Sequence, residues 1–323
     1  MPTIRGERTV DLATFGPATS RVATAAEAQV WCAELTRTHG ENFSVLSRFV
    51  PRDRVEDFRA IYAFCRVADD LGDEMECTER STELLAWWRS ELERCYRGDA
   101  SHPVFVALRP TIARHDLPAQ PFHDLIAAFE SDQTKTRYAN WEELLQYCRL
   151  SADPVGRLVL MVLGEPRDPE IFAASDAICT ALQLTNHWQD VSRDLMERDR
   201  IYVPMDAWPV DRFAERLATT CRQGYAPDPV FLVQWRDMLR AQANRTWSLF
   251  ESGQRLLELV QPAHRPLIWL FLAGGTSTLR LVETWNYETC LARPRLSKVS
   301  KLLLIARASW KFRKSAARVR VSP

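Results

Sequence analysis

The sequence predicts an all-α protein. Glycine is scarce, with 11 residues in a chain of 323, which is about half the usual frequency and suits helices joined by few tight turns. Apolar residues recur at offsets of three and four along most of the chain, the stripe of an amphipathic helix. Alternating apolar and polar runs typical of strands are few, so we expect about ten helices and no sheet.

The helices can be placed in order. The first clear one is predicted to start at Arg52 and Asp53, just after Pro51, with its apolar stripe over 55–74. The same spacing recurs over 81–97, 122–130, 141–150, 171–195 and 230–260.

Two features interrupt this pattern. Pro154 predicts a break or kink, because proline lacks the backbone N–H that a helix interior needs. Residues 199–204 lose the periodicity and are predicted to form a short extended loop. No low-complexity linker divides the chain, so we predict one domain over 1–295 followed by a basic amphipathic tail over 296–323.

Charge is balanced overall but unevenly distributed. Lys plus Arg and Asp plus Glu both total 42, which argues against a nucleic-acid-binding protein, whose surface should be strongly basic. Ten of the basic residues lie between Leu291 and Pro323, where there is no acidic residue. The body of the chain is therefore acidic and its end basic.

Cysteine usage and hydropathy indicate a cytoplasmic protein. The eight cysteines form no CxxC pair, so we predict reduced thiols and no zinc site. Residues 1–22 contain no apolar leader core, and the longest apolar run, 267–275, is far shorter than the roughly 20 residues of a membrane-spanning helix.

Carboxylates crowd the end of the helix predicted over 55–74. Asp69, Asp70, Asp73 and Glu74 occur there, although negative charge near a helix C-terminus opposes the helix dipole. Asp69 and Asp73 are also a like-charge pair at i,i+4, which is unfavourable in an isolated helix. A metal ion or a cationic partner would make this arrangement favourable.

A second polar cluster lies on the helix predicted over 171–195. Gln183 precedes Asn186, Asp190 and Asp194, and the last three follow one another at i,i+4 steps, which places them on one helix face. Either cluster alone is also consistent with a solvated acidic face.

Together the two clusters predict a site for a metal-bridged diphosphate. Mg²⁺ prefers oxygen ligands and usually binds through one or two carboxylates, waters and substrate phosphates. Arg66 beside the first cluster and Arg200 after the second are candidates to contact the diphosphate, because guanidinium groups bind phosphate in a bidentate manner.

These residues resemble the squalene and phytoene synthase family of isoprenoid diphosphate enzymes. The resemblance extends from about His39 to Lys301. Its motifs are Asn42-Phe43-Ser44, Ile61-Tyr62-Ala63-Phe64-Cys65-Arg66, Asp69-Asp70-Leu71-Gly72-Asp73, Tyr147-Cys148, Val155-Gly156, Leu182-Gln183-Leu184-Thr185-Asn186, Asp190-Val191-Ser192-Arg193-Asp194 and Arg200-Ile201-Tyr202-Val203-Pro204.

The resemblance implies a fold, a metal and a reaction. The fold would be the single-domain isoprenoid synthase fold, a helical bundle around a central cavity. The Mg²⁺ ligands would be the two clusters facing each other across its mouth, namely Asp69, Asp70, Asp73, Asn186, Asp190 and Asp194. Family members ionise an allylic or cyclopropylcarbinyl diphosphate, and Asp69, Asp73 and Asp190 are the carboxylates expected to support that step.

Within the family, several motifs resemble bacterial hydroxysqualene synthases, which convert presqualene diphosphate and water to hydroxysqualene and diphosphate. They are His39-Gly40-Glu41-Asn42-Phe43-Ser44-Val45, Ser151-Ala152-Asp153-Pro154-Val155-Gly156-Arg157, Asn186-His187-Trp188-Gln189-Asp190 and Arg293-Pro294-Arg295-Leu296-Ser297. Many relatives that couple two prenyl diphosphates carry Arg in place of Gln189 and Ser in place of Asn42. The branch itself usually has Asn in place of Asp153.

Aromatic side chains complete the expected site. Rings that flank the acidic motifs can stabilise a carbocation through the quadrupole that also attracts ammonium ions. The candidate substrate-binding residues are Asn42, Phe43, Tyr62, Arg66, Gln183, Trp188, Arg200 and Tyr202. Tyr147 matches a tyrosine that squalene synthases use near the reacting carbons, and we expect it to be catalytic. For the aromatic members, packing in the core is the alternative, and His187 is expected to pack or to hydrogen-bond.

The tail combines Lys and Arg with Leu302-Leu303-Leu304-Ile305, Trp310 and Phe312, the composition of a helix that lies on anionic lipid. We therefore expect peripheral membrane contact, with a plain solvated helix as the alternative. Two other functions stay open at this stage. One is a head-to-head synthase that makes presqualene diphosphate, squalene or a carotenoid precursor from farnesyl diphosphate, and the other is a non-catalytic scaffold of the same fold.

Overall fold

A computed structural model describes residues 10–39 and 49–313. Within them the only sheet-like pairing is an isolated parallel bridge between Arg137 and Ile201. The α-helices, numbered in chain order, are α1 (Leu12–Phe15), α2 (Ala25–His39), α3 (Val55–Asp73), α4 (Thr78–Arg97), α5 (Pro103–His115), α6 (Gln120–Ser131), α7 (Trp141–Ser151), α8 (Asp153–Leu163), α9 (Pro169–Gln189), α10 (Val191–Arg198), α11 (Phe213–Gln223), α12 (Pro229–Gly253), α13 (Leu256–Leu259), α14 (Arg265–Thr284) and α15 (Lys298–Lys311). Short 3-10 helices occupy Arg52–Arg54 and Met205–Ala207.

The predicted all-α class and most helix positions are confirmed. The helix start after Pro51 is a 3-10 turn that leads directly into α3. At the predicted break, α7 ends at Ser151 and α8 begins at Asp153. Residues 199–204 form a loop, and the Ile201 amide donates to the Thr136 carbonyl at 3.0 Å.

The chain divides into two compact units. Residues up to 134 together with 154–167 form the first, and 135–153 together with 168–323 form the second. The division into a domain over 1–295 and a tail, and the central cavity, both stay predictions.

The first unit has an aromatic core. The Phe64 ring on α3 lies 5.9 Å from Trp88 on α4 and 5.0 Å from Phe122 on α6, between ring centroids. All three side chains are fully buried. Large rings contribute much of the apolar area that a core removes from water, so this cluster fixes α3 and the carboxylates at its end.

The second unit is built on α9, which packs against α12 and α14. Glycine makes this close approach possible on both neighbours. A Cβ at Gly253 would lie 2.6 Å from Ile178 Cγ1, and a Cβ at Gly275 would lie 2.4 Å from Leu182 Cδ2. These contacts hold the helix that carries Gln183 and Asn186.

Candidate active site

The first acidic cluster lies at the C-terminal end of α3, as predicted. Asp70 is buried, whereas the Asp69 side chain is 42 % exposed. The helix ends where the Glu74 amide donates to the Asp70 carbonyl. Just before that end, the Gly72 carbonyl accepts from the Gln133 side-chain amide at 3.0 Å. This loop contact fixes the helix end and the direction of its carboxylates.

Arg66 supplies the cation that this cluster needs. Its guanidinium donates to Asp69 Oδ2 at 3.0 Å and binds Asp70 through two nitrogens. Burial raises the pKa of Asp70 to about 6, while the charge of Arg66 acts in the opposite direction. A positive partner is therefore what keeps a carboxylate ionised at this depth.

Tyr62 lies one turn before Arg66 on α3 and is partly buried. Burial raises the pKa of its phenol, so it stays a neutral hydroxyl at ordinary pH. The charges of Arg66, Asp69 and Asp70 all act on it, which places Tyr62 in the same group as the predicted site residues of this helix.

The second cluster differs from the prediction in one respect. The expected single helix over 171–195 is wrong, because α9 ends at Gln189 and α10 begins at Val191, with Asp190 between them at φ −100° and ψ 11°. The i,i+4 relation nevertheless survives in the backbone. The Asp190 amide donates to the Asn186 carbonyl at 2.8 Å, and the Asp194 amide donates to the Asp190 carbonyl at 2.9 Å.

The members of this cluster differ in exposure. Asn186 is exposed and Gln183 is half-buried, whereas Asp190 and Asp194 are buried. Burial raises the pKa of Asp194 to about 6, with Arg193 opposing the rise. The Asp194 carboxylate, like that of Asp70, is therefore stabilised in its ionised form by the positive charge of a nearby arginine.

Two arginines provide that charge. Arg193 on α10 binds Asp190 Oδ2 at 2.9 Å and Asp194 Oδ1 at 3.2 Å. Arg293 binds both carboxylate oxygens of Asp190, with its Nη2 2.9 Å from Oδ2. Sequence reasoning missed the Arg293 contact, although Arg293 belongs to one of the motifs that it singled out.

The segment that carries Arg293 is held by a second contact. The Gln189 side-chain amide is buried and donates to the Pro294 carbonyl at 2.6 Å. Neighbouring residues at the end of α9, Gln189 and Asp190, thus bind the neighbouring residues Pro294 and Arg293. This pairing holds the Arg293 guanidinium on the Asp190 carboxylate.

Aromatic rings from three segments meet in the second unit. The His187 ring on α9 stacks on Tyr202 with centroids 3.6 Å apart, and Tyr147 on α7 lies 6.0 Å from His187 and 5.8 Å from Tyr202. Tyr138 completes the group, 5.4 Å from Tyr147. The structure therefore brings together the predicted Tyr147 and Tyr202, and adds Tyr138, which no sequence pattern indicated.

The chemical state of His187 is set by burial. Burial lowers the pKa of His187 to about 3, and the charge of Arg200 acts in the same direction. Among the described residues, its buried Nε2 has no hydrogen-bond partner. The neutral imidazole therefore packs on the Tyr202 phenol, and the faces of tyrosine rings are of the kind that stabilise cations.

The remaining candidates are placed as follows. Arg200 is buried, and its backbone amide donates to the Asp194 carbonyl at 3.0 Å. Trp188 is fully buried and its indole N–H donates to Thr246 Oγ1 at 2.8 Å, a placement that favours the packing alternative. Asn42 and Phe43 lie outside the described residues.

The donor chemistry of both clusters fits Mg²⁺. All of the candidate ligands offer oxygen, the donor that this ion prefers. Within residues 10–39 and 49–313, no group of three or more His, Cys, Asp or Glu side chains is arranged so that it could hold a metal ion by itself. A few carboxylates supplemented by substrate phosphates and water is the usual arrangement for Mg²⁺.

Comparison with known proteins decides the family. Residues 36–302 match the sequence profile of the family described as squalene/phytoene synthase. The chain belongs to this family.

Relatives named for two different activities within the squalene/phytoene synthase family match this chain. A hydroxysqualene synthase of Rhodopseudomonas palustris is 41 % identical over 172 residues, which cover 53 % of this chain and 57 % of that enzyme. A phytoene synthase of Arthrospira platensis is 28 % identical over 303 residues, covering 90 % of this chain and 95 % of the other.

Solved structures agree on the isoprenoid synthase fold of the family. The crystal structure of squalene synthase HpnC from Alicyclobacillus acidocaldarius has a TM-score of 0.71 and 41 % identity, covering 81 % of this chain and 95 % of that one. A dehydrosqualene synthase with a bound ligand has a TM-score of 0.75 at 20 % identity, covering 90 % and 98 %. At that identity the second likeness concerns the fold alone.

Proposed function

We propose that the chain is a Mg²⁺-dependent hydroxysqualene synthase, which converts presqualene diphosphate and water to hydroxysqualene and diphosphate. The observation that supports this most is the presence of two clusters of carboxylates, each containing buried members bound by arginine. Family membership supports the substrate class, a prenyl diphosphate.

The proposed ligands of Mg²⁺ are Asp69, Asp70 and Asp73 in the first cluster and Asn186, Asp190 and Asp194 in the second. Mg²⁺ would supply positive charge to the departing diphosphate, where electrostatic stabilisation lowers the barrier most. The arginines beside these carboxylates would neutralise the remaining negative charge of the bound diphosphate.

The proposed reaction breaks the carbon–oxygen bond of the cyclopropylcarbinyl diphosphate, and the electron pair leaves with diphosphate. The π faces of Tyr147 and Tyr202 would stabilise the cation, and His187 would support Tyr202 by stacking on it. A carbon–carbon bond of the cyclopropane ring breaks to open the cation, a water oxygen forms the new bond to carbon, and the proton of that water passes to the released diphosphate. Tyr147 is our candidate to orient the water.

The choice of hydration over coupling is supported by Gln189. Many relatives that couple two prenyl diphosphates have Arg at this position, whereas here the side chain is buried and donates to the Pro294 carbonyl. The Gln189 side chain therefore binds the backbone and supplies no positive charge to a diphosphate. This is consistent with a site that binds one diphosphate instead of two. The identity to a hydroxysqualene synthase supports the same choice.

Head-to-head coupling of prenyl diphosphates is the second candidate. It is favoured by the similarity to a phytoene synthase over 90 % of the chain, a longer match than that to the hydroxysqualene synthases. Products would then be presqualene diphosphate, squalene or a carotenoid precursor made from farnesyl diphosphate.

Mass spectrometry of products separates these functions. The purified full chain is incubated with Mg²⁺ and either presqualene diphosphate or farnesyl diphosphate in ¹⁸O-labelled water without NADPH. We expect a labelled thirty-carbon alcohol from presqualene diphosphate. Consumption of farnesyl diphosphate would instead favour coupling, and no reaction with either substrate would favour a non-catalytic scaffold.

A matched pair of variants tests the metal ligands. Asp190→Asn should lower turnover by at least about 100-fold, because a carboxylate that stabilises developing charge is lost. Asp237→Asn is the control, since Asp237 is an exposed residue of α12 that pairs with Arg240 one turn later on the same helix. Near-normal turnover in Asp190→Asn would contradict the proposed mechanism.

The structure bears on localisation only through the absence of a membrane-spanning helix among the described residues. No helix among the described residues is long and apolar enough to span a membrane. A cytoplasmic location stays a prediction from the sequence, and peripheral membrane contact is a proposal that depends on α15.

A further inference from the structure

One face of α15 is fixed to the protein. Ile305 and Ala308 are buried, and the helix packs against α14. At its end, the Phe312 ring lies 6.3 Å from the Trp269 ring, and Lys311 Nζ lies 5.4 Å from the same ring. The helix is therefore a built part of the second unit.

The opposite face of α15 is apolar and exposed. Val299 is 65 % exposed, Leu302 62 %, Leu303 53 % and Trp310 78 %. With about 100° of rotation per residue, these four side chains fall within an arc of about 100°. Scattered exposed apolar residues are normal, but a continuous stripe indicates an interaction surface. We call these four residues the outer stripe.

Positive charge lies on both sides of the outer stripe. Lys298 and Arg307 are exposed and, by the same helix geometry, flank it on opposite edges. Between Leu291 and Pro323 the sequence has ten basic residues and no acidic one. An apolar stripe between cationic edges complements a bilayer whose surface is anionic and whose interior is apolar.

We propose that the outer stripe docks on the surface of an anionic bilayer, with α15 lying in the membrane plane. The 14 residues of the helix extend about 21 Å, too short to cross a hydrocarbon core of about 30 Å. Trp310, the most exposed member, has an apolar ring and a polar N–H, which suits the boundary between headgroups and acyl chains.

The charge pattern favours lipid over a second copy of this chain. In a symmetric pair formed through the outer stripe, the basic edges of one helix would face the basic edges of the other. Like charges at such short range repel, and the segment offers no acidic residue to compensate. An anionic surface has no such penalty. This inference does not depend on the proposed function.

Vesicle co-sedimentation of the full chain tests the inference. Vesicles of phosphatidylcholine alone are compared with vesicles that also contain phosphatidylglycerol. We expect binding only to the anionic vesicles, weakening as salt is added. Leu302→Ser combined with Trp310→Ser should lower the partition coefficient by at least about tenfold, because both side chains would leave apolar lipid for water. Lys298→Gln should lower it by about fivefold.

Matched controls distinguish docking through the outer stripe from nonspecific adsorption of exposed apolar side chains to vesicles. Tyr225→Ser combined with Val230→Ser removes two apolar side chains that are 60 % and 64 % exposed elsewhere in the second unit, and should leave binding unchanged. Quenching of tryptophan fluorescence by brominated lipid should fall in Trp310→Phe and persist in Trp285→Phe, a control at another exposed tryptophan.

Three results would overturn the inference. The first is unchanged vesicle binding in the outer-stripe variant. The second is equal binding to zwitterionic and anionic vesicles. The third is a change from dimer to monomer in sedimentation velocity when the outer stripe is substituted, without a change in vesicle binding, which would assign the stripe to a second copy. Because all of these readouts are binding measurements, an inactive enzyme would not affect them.

Discussion

The pairing of Asp190 with Arg293 leads to a quantitative prediction. The Asp190 side chain is 6 % exposed and Arg293 is 29 % exposed, so the ion pair is partly shielded from water. Breaking a fully buried pair costs about 3–5 kcal/mol because it leaves a buried charge unpaired. Here Arg193 remains 2.9 Å from Asp190, and part of the arginine is hydrated. We therefore expect Arg293→Gln to lower the free energy of unfolding by about 2 kcal/mol in metal-free buffer.

A double-mutant cycle isolates the interaction itself. Arg293→Gln, Asp190→Asn and the double variant are unfolded with urea in EDTA, followed by circular dichroism and tryptophan fluorescence. The coupling free energy should be about 1–2 kcal/mol. Arg240 and Asp237, an exposed pair 2.7 Å apart on α12, provide the control cycle, with an expected coupling below about 0.5 kcal/mol. Additive effects of Arg293→Gln and Asp190→Asn would refute the pairing.

The same cycle tests the metal site without measuring turnover. A Mg²⁺ ion accompanied by inorganic diphosphate would compete with Arg293 for the Asp190 carboxylate, because both bind the same oxygens. The coupling between Arg293 and Asp190 should therefore shrink when Mg²⁺ and diphosphate are added together, while the coupling in the control pair stays the same. An unchanged coupling at saturating Mg²⁺ and diphosphate would contradict Asp190 as a ligand.

Three further predictions concern packing and pH. Gly275→Ala should lower the free energy of unfolding by about 1–3 kcal/mol, because the new Cβ would lie 2.4 Å from Leu182 Cδ2. Gly274→Ala is the control and should not lower it, because a Cβ there would meet open space. Urea unfolding of both variants measures the difference. Trp188→Phe should lower the free energy of unfolding by about 1 kcal/mol, because the hydrogen bond to Thr246 is lost. The KM of the variant should be unchanged, whereas a raised KM would indicate that Trp188 contacts the substrate. Burial lowers the pKa of His102 from 6.5 to about 4. The unfolded chain therefore binds a proton in that window that the folded chain does not, and stability falls as pH falls from 6.5 to 4. The stability advantage of the natural chain over His102→Asn should shrink across the same window, and a constant difference would be the contrary result.

The fold was largely predictable because helices have local signals. The stripe over 55–74 predicted α3 to within one residue at its end, and Pro154 predicted the break between α7 and α8. The end of α9 at Gln189 was not predicted, since the apolar periodicity continues through Asp190 and the backbone hydrogen bonds keep their i,i+4 pattern. Only the dihedral angles of Asp190 mark the junction, and no residue type there requires it.

The arrangement of the aromatic rings around Tyr147 could not be predicted from the sequence. Tyr147 and Tyr202 were candidates because they lie in family motifs, but their proximity depends on a contact between two loops. The Ile201 amide donates to the Thr136 carbonyl, which brings Tyr202 beside Tyr138 with ring centroids 5.7 Å apart. Pairing between loops leaves no periodic signal in either segment, so neither Tyr138 nor the stack of His187 on Tyr202 could be inferred.

Both acidic clusters contain buried carboxylates that are paired with arginines, but the arginines come from different parts of the chain. In the first cluster the compensating charge is local, because Arg66 lies three and four residues before the aspartates that it binds, and such spacing is visible in any sequence. In the second, Arg193 is equally local, but Arg293 comes from a segment 103 residues away. Asp190 thus pairs with one arginine of the adjoining helix and with one from a distant segment. Spacing in the sequence could indicate only the first of these contacts. The cycle on Asp190 and Arg293 therefore tests a contact that only the structure reveals, at a residue proposed here as a metal ligand.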